Sequence, residues 1–293
     1  MNLKQTQTAA YIFLAPAISA IFIFFFLPVL AAFVISFTDF DIYALGNFSS
    51  VRFIGFDNYI KLFDDPLFYT ALKNTLYFVI IAGPLSIAVS LGAALLLNSK
   101  LVKYKSIFRL SYFIPVVTTL VAVAIVWRFI YHPRFGIINY IIGFIGISPI
   151  DWLGEPATAM PAIILMSVWK GFGYNMIIFI AGLQNIPEDL YEAASIEGAT
   201  GWQKFKSITL PMLAPTTLFI SIITMIGFFQ MFAEPYVMTQ GGPLNSTLSI
   251  VQFMYQEGFR WWNMGYSASI AFVLFFIIFI GTVIQFKIQK STE

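Results

Sequence analysis

The chain has 293 residues, of which 59% are hydrophobic, 18% aromatic and only 10% charged, with a mean hydropathy of +0.83 and a formal net charge of +2. A soluble domain carries about 25% charged residues, so this chain lacks the polar surface of a cytosolic enzyme, a nucleic-acid binder or a disordered protein. Cysteine is absent and there is a single histidine, which removes thiol chemistry and argues against a metal site or a His-based triad. The composition is that of an integral membrane protein.

A helix that crosses a bilayer needs about 20 mostly apolar residues, and the spanning backbone must satisfy its own hydrogen bonds, so the expected fold class is all-α. The first qualifying stretch is Tyr11–Phe37. Its apolar run exceeds a signal-peptide core, Pro16 and Pro28 lie inside it, and only Lys4 precedes it. It reads as a retained anchor. The loop 38–69 holds Asp39, Asp41, Asp57, Asp64 and Asp65, the last pair forming a turn before Pro66. Span two is Thr70–Leu97, followed by the basic run Lys100, Lys103, Lys105 and Arg109, and span three is Ile107–Tyr131. His132 then reads as a boundary residue. The apolar run Ile137–Ile147 is too short to span, so it lies in the interface or re-enters.

Span four, Thr158–Leu183, carries Lys170 near its middle. With about twelve residues on either side, roughly 18 Å of helix, its ammonium cannot reach an interface and must face protein or a water-filled cavity. A structural ion pair and a place in a polar pathway are the two readings. Glu234 is the acidic candidate, but its position near the outer end of span five argues against direct pairing. Ser167-Val-Trp-Lys-Gly-Phe-Gly-Tyr-Asn175 surrounds the lysine. Trp169 can stack on a flat apolar face, Tyr174 and Asn175 can hydrogen-bond, and Gly171 and Gly173 permit close backbone approach. Packing between helices uses the same residue types.

Between spans four and five runs Asn185-Ile-Pro-Glu-Asp-Leu-Tyr-Glu-Ala-Ala-Ser-Ile-Glu-Gly-Ala-Thr-Gly-Trp-Gln-Lys-Phe-Lys-Ser-Ile-Thr-Leu-Pro211. Pro187 suits a first helical position, and Glu188 and Asp189 complement a helix N-terminus. Gly198 ends that helix at low steric cost. Thr200 with Gln203 forms a capping box that starts a second short helix, which puts Trp202, Phe205 and Ile208 on one face and ends at Leu210-Pro211. Such a connector can lie on lipid headgroups, but surface-lying helices are basic, whereas this one carries Glu188, Asp189, Glu192 and Glu197. Ala193 and Ala194 add a small-residue face. A protein partner fits better.

Span five is Leu213–Val237, and the loop 238–264 opens with the turn signal Gly241-Gly242-Pro243 and carries Trp261 and Trp262. Span six is Gly265–Lys287. Basic residues crowd the loops after spans two and four and the C-terminal end (Lys204, Lys206, Lys287, Lys290), so both termini are expected in the cytoplasm. Six spans return the chain to the side where it began. No internal repeat or separate soluble domain is visible.

Glu192-Ala193-Ala194, then Gly198, Ile208 and Leu210-Pro211 at fixed spacing, resemble the "EAA" loop of ABC importer permeases. Phe13-Leu-Ala-Pro16, Pro28, Ser36-Phe37-Thr38-Asp39, Asn74-Thr75-Leu76, Thr239-Gln-Gly-Gly-Pro243, Ser246-Thr247 and Gly265-Tyr266-Ser267-Ala268 extend the likeness. They are similar to sugar permeases of the maltose and glycerol-phosphate type, and to the first of the two unlike permeases in such systems. The resemblance implies a type I ABC importer permease fold with six transmembrane helices. It divides the chain into a cytoplasmic tail 1–10, a first helix 11–37, an outer loop 38–69, a core 70–287 with a docking loop at about 184–212, and a tail 288–293. It assigns the EAA residues to docking on a cytoplasmic ATPase, and Ser167, Lys170, Gly171 and Tyr174, with Thr224, Gly227 and Phe228 of span five, to the substrate pathway, to which the chemistry of Trp169 and Asn175 adds those two.

The implied protein is a multi-pass subunit of the bacterial plasma membrane that imports a carbohydrate. Its implied partners are a second homologous permease, two ATPase subunits and an extracytoplasmic sugar-binding protein, with no nucleic acid. No stretch reads G-x-x-x-x-G-K-[ST], so ATP and magnesium belong to the ATPase and no catalytic residue, cofactor or metal is expected here. An ion-coupled secondary transporter would call for intramembrane carboxylates or matching broken helices, and a lipid-modifying enzyme for clustered polar catalytic groups within the spans. The EAA loop separates the importer from both.

Overall fold

The computed structural model describes residues 3–99 and 102–290, so Lys100 of the basic run and the tail 291–293 lie outside the described residues. Helix α1 (Leu3–Ile21) passes through a π-turn, Phe22–Phe26, into α2 (Leu27–Ile35). Two 3-10 turns, Ile42–Gly46 and Phe48–Ser50, lead to α3 (Asp57–Asp64). Next come α4 (Pro66–Asn98), α5 (Lys105–Val117), α6 (Leu120–Ile130), the short α7 (Ile137–Gly143) and the long α8 (Pro156–Gln184). Helices α9 (Glu188–Ile196) and α10 (Gly201–Lys204), a π-turn at Phe205–Thr209 and α11 (Leu210–Met212) lead into α12 (Ala214–Phe229). Then α13 (Ala233–Met238), α14 (Ile250–Tyr255) and a π-turn at Gln256–Arg260 precede α15 (Met264–Lys290). Among the described residues there is no strand, only an isolated bridge between Thr38 and Phe53.

Among the described residues four helices are long and apolar enough to cross a membrane by themselves, and up to six spans result when each of two bent pairs counts as one. Two of the expected spans are therefore bent. Span three is α5 and α6 set at 100° to each other. Pro115 lacks the N–H that would bond one turn back, and the Thr118 hydroxyl donates to the Ile114 carbonyl at 3.0 Å in place of the helical amide. Thr118 and Thr119 then adopt extended backbone, with ψ of 140° and 137°. The segment Gly201–Met212 meets α12 at 64°. The helix therefore does not end at Leu210-Pro211; it runs on to Met212 and turns at Leu213, where Pro215 in the next turn removes a further backbone donor.

The chain forms two compact units. The first takes residues 1–66 and 254–274, and its polar centre is Asn58. The buried Asn58 amide donates to the Ser36 and Thr38 carbonyls, both at 2.9 Å, so α3 is fastened to the end of α2. Gly265 closes the same knot. Its N–H donates to the Phe40 carbonyl at 2.9 Å, and a Cβ there would overlap the Thr38 carbonyl. The Tyr266 hydroxyl donates to Asp65 at 2.9 Å, with the Lys61 ammonium 4.4 Å from its ring centre. Two segments singled out in the sequence, Ser36–Asp39 and Gly265–Ala268, are thus partners. Asp65 is the single joint between α3 and α4.

The second unit takes residues 67–253 and 275–293. One apolar cluster gathers Phe78, Trp127, Tyr131, Ile163, Met166 and Met231, and another gathers Leu97, Met176, Phe179, Leu183, Leu213 and Ile220. The Asn74 amide donates to the carbonyls of Asn245 and Leu248 at 2.7 and 3.0 Å, and Thr75 accepts from the Ile250 N–H at 3.0 Å. The Thr247 hydroxyl donates to the Gly242 carbonyl at 2.8 Å. The Asn74-Thr75 and Gly-Gly-Pro segments therefore clamp each other. Asn139 of α7 donates to the Pro133 and Ile150 carbonyls and accepts from the Trp152 indole, so the run expected to lie in the interface is pinned at one buried amide while Ile141, Phe144 and Ile145 stay exposed. The His132 ring accepts from the Arg134 and Phe135 amides and stacks on Phe135.

Candidate functional site

The loop between α8 and α12 is built from local rules. Pro187 is the N-cap of α9, one position before the helical site expected for it, and Glu188 and Asp189 occupy the first turn. The helix ends at Gly198, whose φ of +80° is left-handed backbone open mainly to glycine. The Ala199 N–H bonds the Ala194 carbonyl at 2.8 Å and the Gly198 N–H bonds the Ser195 carbonyl at 3.1 Å, which is the Schellman pattern. Thr200 and Gln203 form the capping box of α10. The Lys204 ammonium donates to the Ser195 hydroxyl at 2.6 Å, holding the two short helices together.

Between those helices lies an open groove of about 540 Å³ lined by Leu190, Ala193, Ala194, Gly198 and Ile208. The structure thus brings four of the EAA residues to one concavity. Glu192 is exposed beside it. Leu210 and Pro211 line a different, more apolar groove with Ala214, Leu218 and Gln285. Trp202 is 70% exposed and stacks near Phe205 at 5.4 Å between ring centres.

In α8 the residues singled out separate into two groups. Ser167, Lys170, Gly171 and Tyr174 recur at helical spacing on one face, with Ser167 buried, Lys170 and Gly171 half-buried and Tyr174 exposed. The Lys170 ammonium lies 3.5 Å from the Val116 carbonyl. That carbonyl is among the last four of α5, which have no helical partner, so the lysine charge meets the negative end of a broken helix. No ion pair within 4.0 Å joins Lys170 to Glu234. Asn175 turns elsewhere: its amide donates to the Thr224 hydroxyl at 3.0 Å, both side chains buried. Two residues assigned to the pathway therefore bond each other and fasten α8 to α12. Trp169 packs 5.5 Å from Trp127, and Phe228 packs 5.1 Å from Phe78. Gly171 and Gly227 have open space where a Cβ would stand.

Gly173, read for close backbone approach, touches α5 so closely that a Cβ would overlap the Tyr112 carbonyl. Sequence reasoning missed two features. The break between α5 and α6 had a signal in Pro115-Val-Val-Thr-Thr119. Tyr191 reaches Thr209, and neither was singled out. Among the described residues no group of three His, Cys, Asp or Glu is placed to hold a metal ion.

Residues 86–293 match the family described as binding-protein-dependent transport system inner membrane component. The chain is 39% identical to the arabinooligosaccharides transport system permease protein AraP of Bacillus subtilis (strain 168), over 97% of this chain and 90% of the relative. It is 37% identical to the lactose transport system permease protein LacF of Rhizobium radiobacter, over 97% and 94%. In fold it is similar to a chain of a bacterial ABC transporter involved in the import of the acidic polysaccharide alginate, with a TM-score of 0.82 and 22% identity over 98% of this chain and 96% of that one. The chain therefore belongs to the binding-protein-dependent transport system inner membrane component family, as an all-helical, multi-pass permease with the type I ABC importer fold.

Proposed function

We propose that the chain is a permease subunit of an ATP-driven carbohydrate importer, that it forms part of the translocation pathway, and that it couples to a separate ATPase through the loop 184–212. The observation that carries the reading is the groove formed by Ala193, Ala194, Gly198 and Ile208 beside the exposed Glu192. It is shaped by a glycine turn and a capping box, and it carries acidic residues unsuited to a lipid surface. Relatives named for arabinooligosaccharide and lactose transport support a neutral sugar or oligosaccharide as cargo.

In this reading both termini are cytoplasmic, the partner set is a second permease, two ATPase subunits and an extracytoplasmic sugar-binding protein, and the chain performs no covalent chemistry. ATP held by the partner closes the ATPase pair and displaces α9. The displacement moves the spans and exposes the pathway to the side where the binding protein delivers cargo. Ser167, Trp169, Gly171, Tyr174, Gly227 and Phe228 are the residues proposed to face the cargo. Lys170 bonds the broken end of α5, and Asn175 and Thr224 hold α8 to α12. The test is reconstitution with the neighbouring subunits in proteoliposomes. Loaded binding protein should accelerate ATP hydrolysis, and Glu192→Lys should abolish that stimulation with membrane insertion intact. Unchanged stimulation in the variant overturns the docking assignment.

A further inference from the structure

We infer that Tyr191 is a positioning residue, the strut through which displacement of α9 reaches the bent start of span five. The inference rests on the docking role proposed for the loop 184–212 and names the contact that transmits its motion.

Every residue of α9 is exposed except Tyr191 and Ala194. The Tyr191 ring packs against the apolar cluster that contains Leu213 and Ile220. Its hydroxyl is 2.9 Å from the Thr209 hydroxyl, and Thr209 is only 5% exposed. Thr209 closes the π-turn Phe205–Thr209, and π-turns concentrate where a helix must yield locally. Its own carbonyl accepts the Leu213 N–H at 3.0 Å. Leu213, fully buried, is the residue at which the helix turns by 64° into α12. A continuous series of contacts therefore runs from an exposed helix to a bend: Tyr191 hydroxyl, Thr209, Leu213, α12. The other contacts of α9 on this side are weaker levers. The Schellman bonds lie within its own C-terminal turn, and the Lys204–Ser195 bond joins it to α10, ahead of the π-turn. Ring packing alone lets α9 slide. The hydroxyl bond fixes its register on the elbow.

Tyr191→Phe keeps the ring and deletes the bond. In the reconstituted complex, substrate taken up per ATP hydrolysed should fall about fivefold, the factor one neutral hydrogen bond of ordinary strength makes in an equilibrium, with complex yield and insertion unchanged. Thr209→Val removes the same bond and also the donation of the Thr209 hydroxyl to the Lys204 carbonyl at 3.5 Å, so the ratio should fall at least as far, the double variant should be no worse than Thr209→Val alone, and Thr209→Ser should restore the ratio. The chain has no cysteine, so spin labels can be placed directly at Ile196→Cys and Phe219→Cys, both exposed. Their separation should hold constant through the ATP cycle in the parent and change with ATP in Tyr191→Phe. An uptake ratio and a label distance that are both unaffected by Tyr191→Phe overturn the strut. If Glu192→Lys uncouples the complex in the same assay while Tyr191→Phe does not, only the strut falls. If neither has any effect, the docking role falls with it.

Discussion

Substituting Gly198 strains the backbone of the loop proposed to dock on the ATPase without a clash inside the chain, and that separation makes it a sharp test. The residue sits at φ +80°, and a Cβ placed there meets nothing within 4 Å, so any penalty is conformational. Left-handed backbone costs an L-residue about 1–2 kcal/mol, less for asparagine, whose side chain bonds locally, and more for a β-branched residue. Gly198→Asn should therefore be mild, Gly198→Ala should weaken the turn by about 1 kcal/mol and Gly198→Val by about 2 kcal/mol. Because the turn is exposed, protein yield and membrane insertion should be equal in all three. The assay is stimulation of ATP hydrolysis by loaded binding protein in the reconstituted complex, with coupling ordered Gly, Asn, Ala, Val. Asparagine is bulkier than alanine, so a docking surface sensitive only to bulk would place Asn below Ala. That order, or full coupling in Gly198→Val, would refute the argument from backbone conformation.

Gly173→Ala should destabilise the purified protein by about 1–3 kcal/mol, since its Cβ must push α5 off α8, whereas Gly171→Ala, in open space, should be neutral; thermal midpoints of the two variants compare them directly. Lys170→Met removes the donor at the broken end of α5 and should destabilise the protein by on the order of 1 kcal/mol, seen as a lower midpoint; an unchanged midpoint with weakened uptake would instead place the lysine in the pathway. The Arg52 backbone N–H, and after it the Arg52 side chain, hold the Asp39 carboxyl below the ordinary carboxylate range. A depressed folded value means this contribution is complete above the unfolded value of about 3.9 and is lost as pH falls through the folded one. Protection of the Arg52 amide against hydrogen exchange should therefore drop only in acid, and Asp39→Asn should remove that dependence.

What was legible in the sequence is what depends on near neighbours. Gly198, Thr200 and Gln203 shape their own turns, so spacing alone placed the end of α9 and the cap of α10. Hydropathy placed all six spans, but it averages over a window and is blind to the backbone. It could not show that Pro115 and the Thr118 hydroxyl, acting together, break span three by 100°. The partners of residues that serve distant segments were invisible for a different reason. Gly173 is required by the Tyr112 carbonyl, Gly265 by the Thr38 carbonyl, and Asn74 by the loop at 245–248. Each was singled out in the sequence, but the segment it serves cannot be read from near neighbours.

The mid-span lysine shows how a partner changes the meaning of a residue. Read alone, Lys170 left two readings, a structural ion pair or a place in a polar pathway, because a charge deep in a span must face protein or water. The end of α5 supplies another explanation: a broken helix leaves carbonyls that need donors as much as the lysine needs an acceptor. With Lys170 on Val116 and Asn175 on Thr224, the residues of α8 proposed for the pathway that remain exposed are Trp169 and Tyr174. An aromatic ring and a phenol suit the apolar face and hydroxyl rim of a neutral sugar better than they suit a carboxylate or phosphate. The polar groups of α8 thus hold a broken helix and fasten α8 to α12, and in the proposed reading discrimination among cargoes falls to aromatic surface.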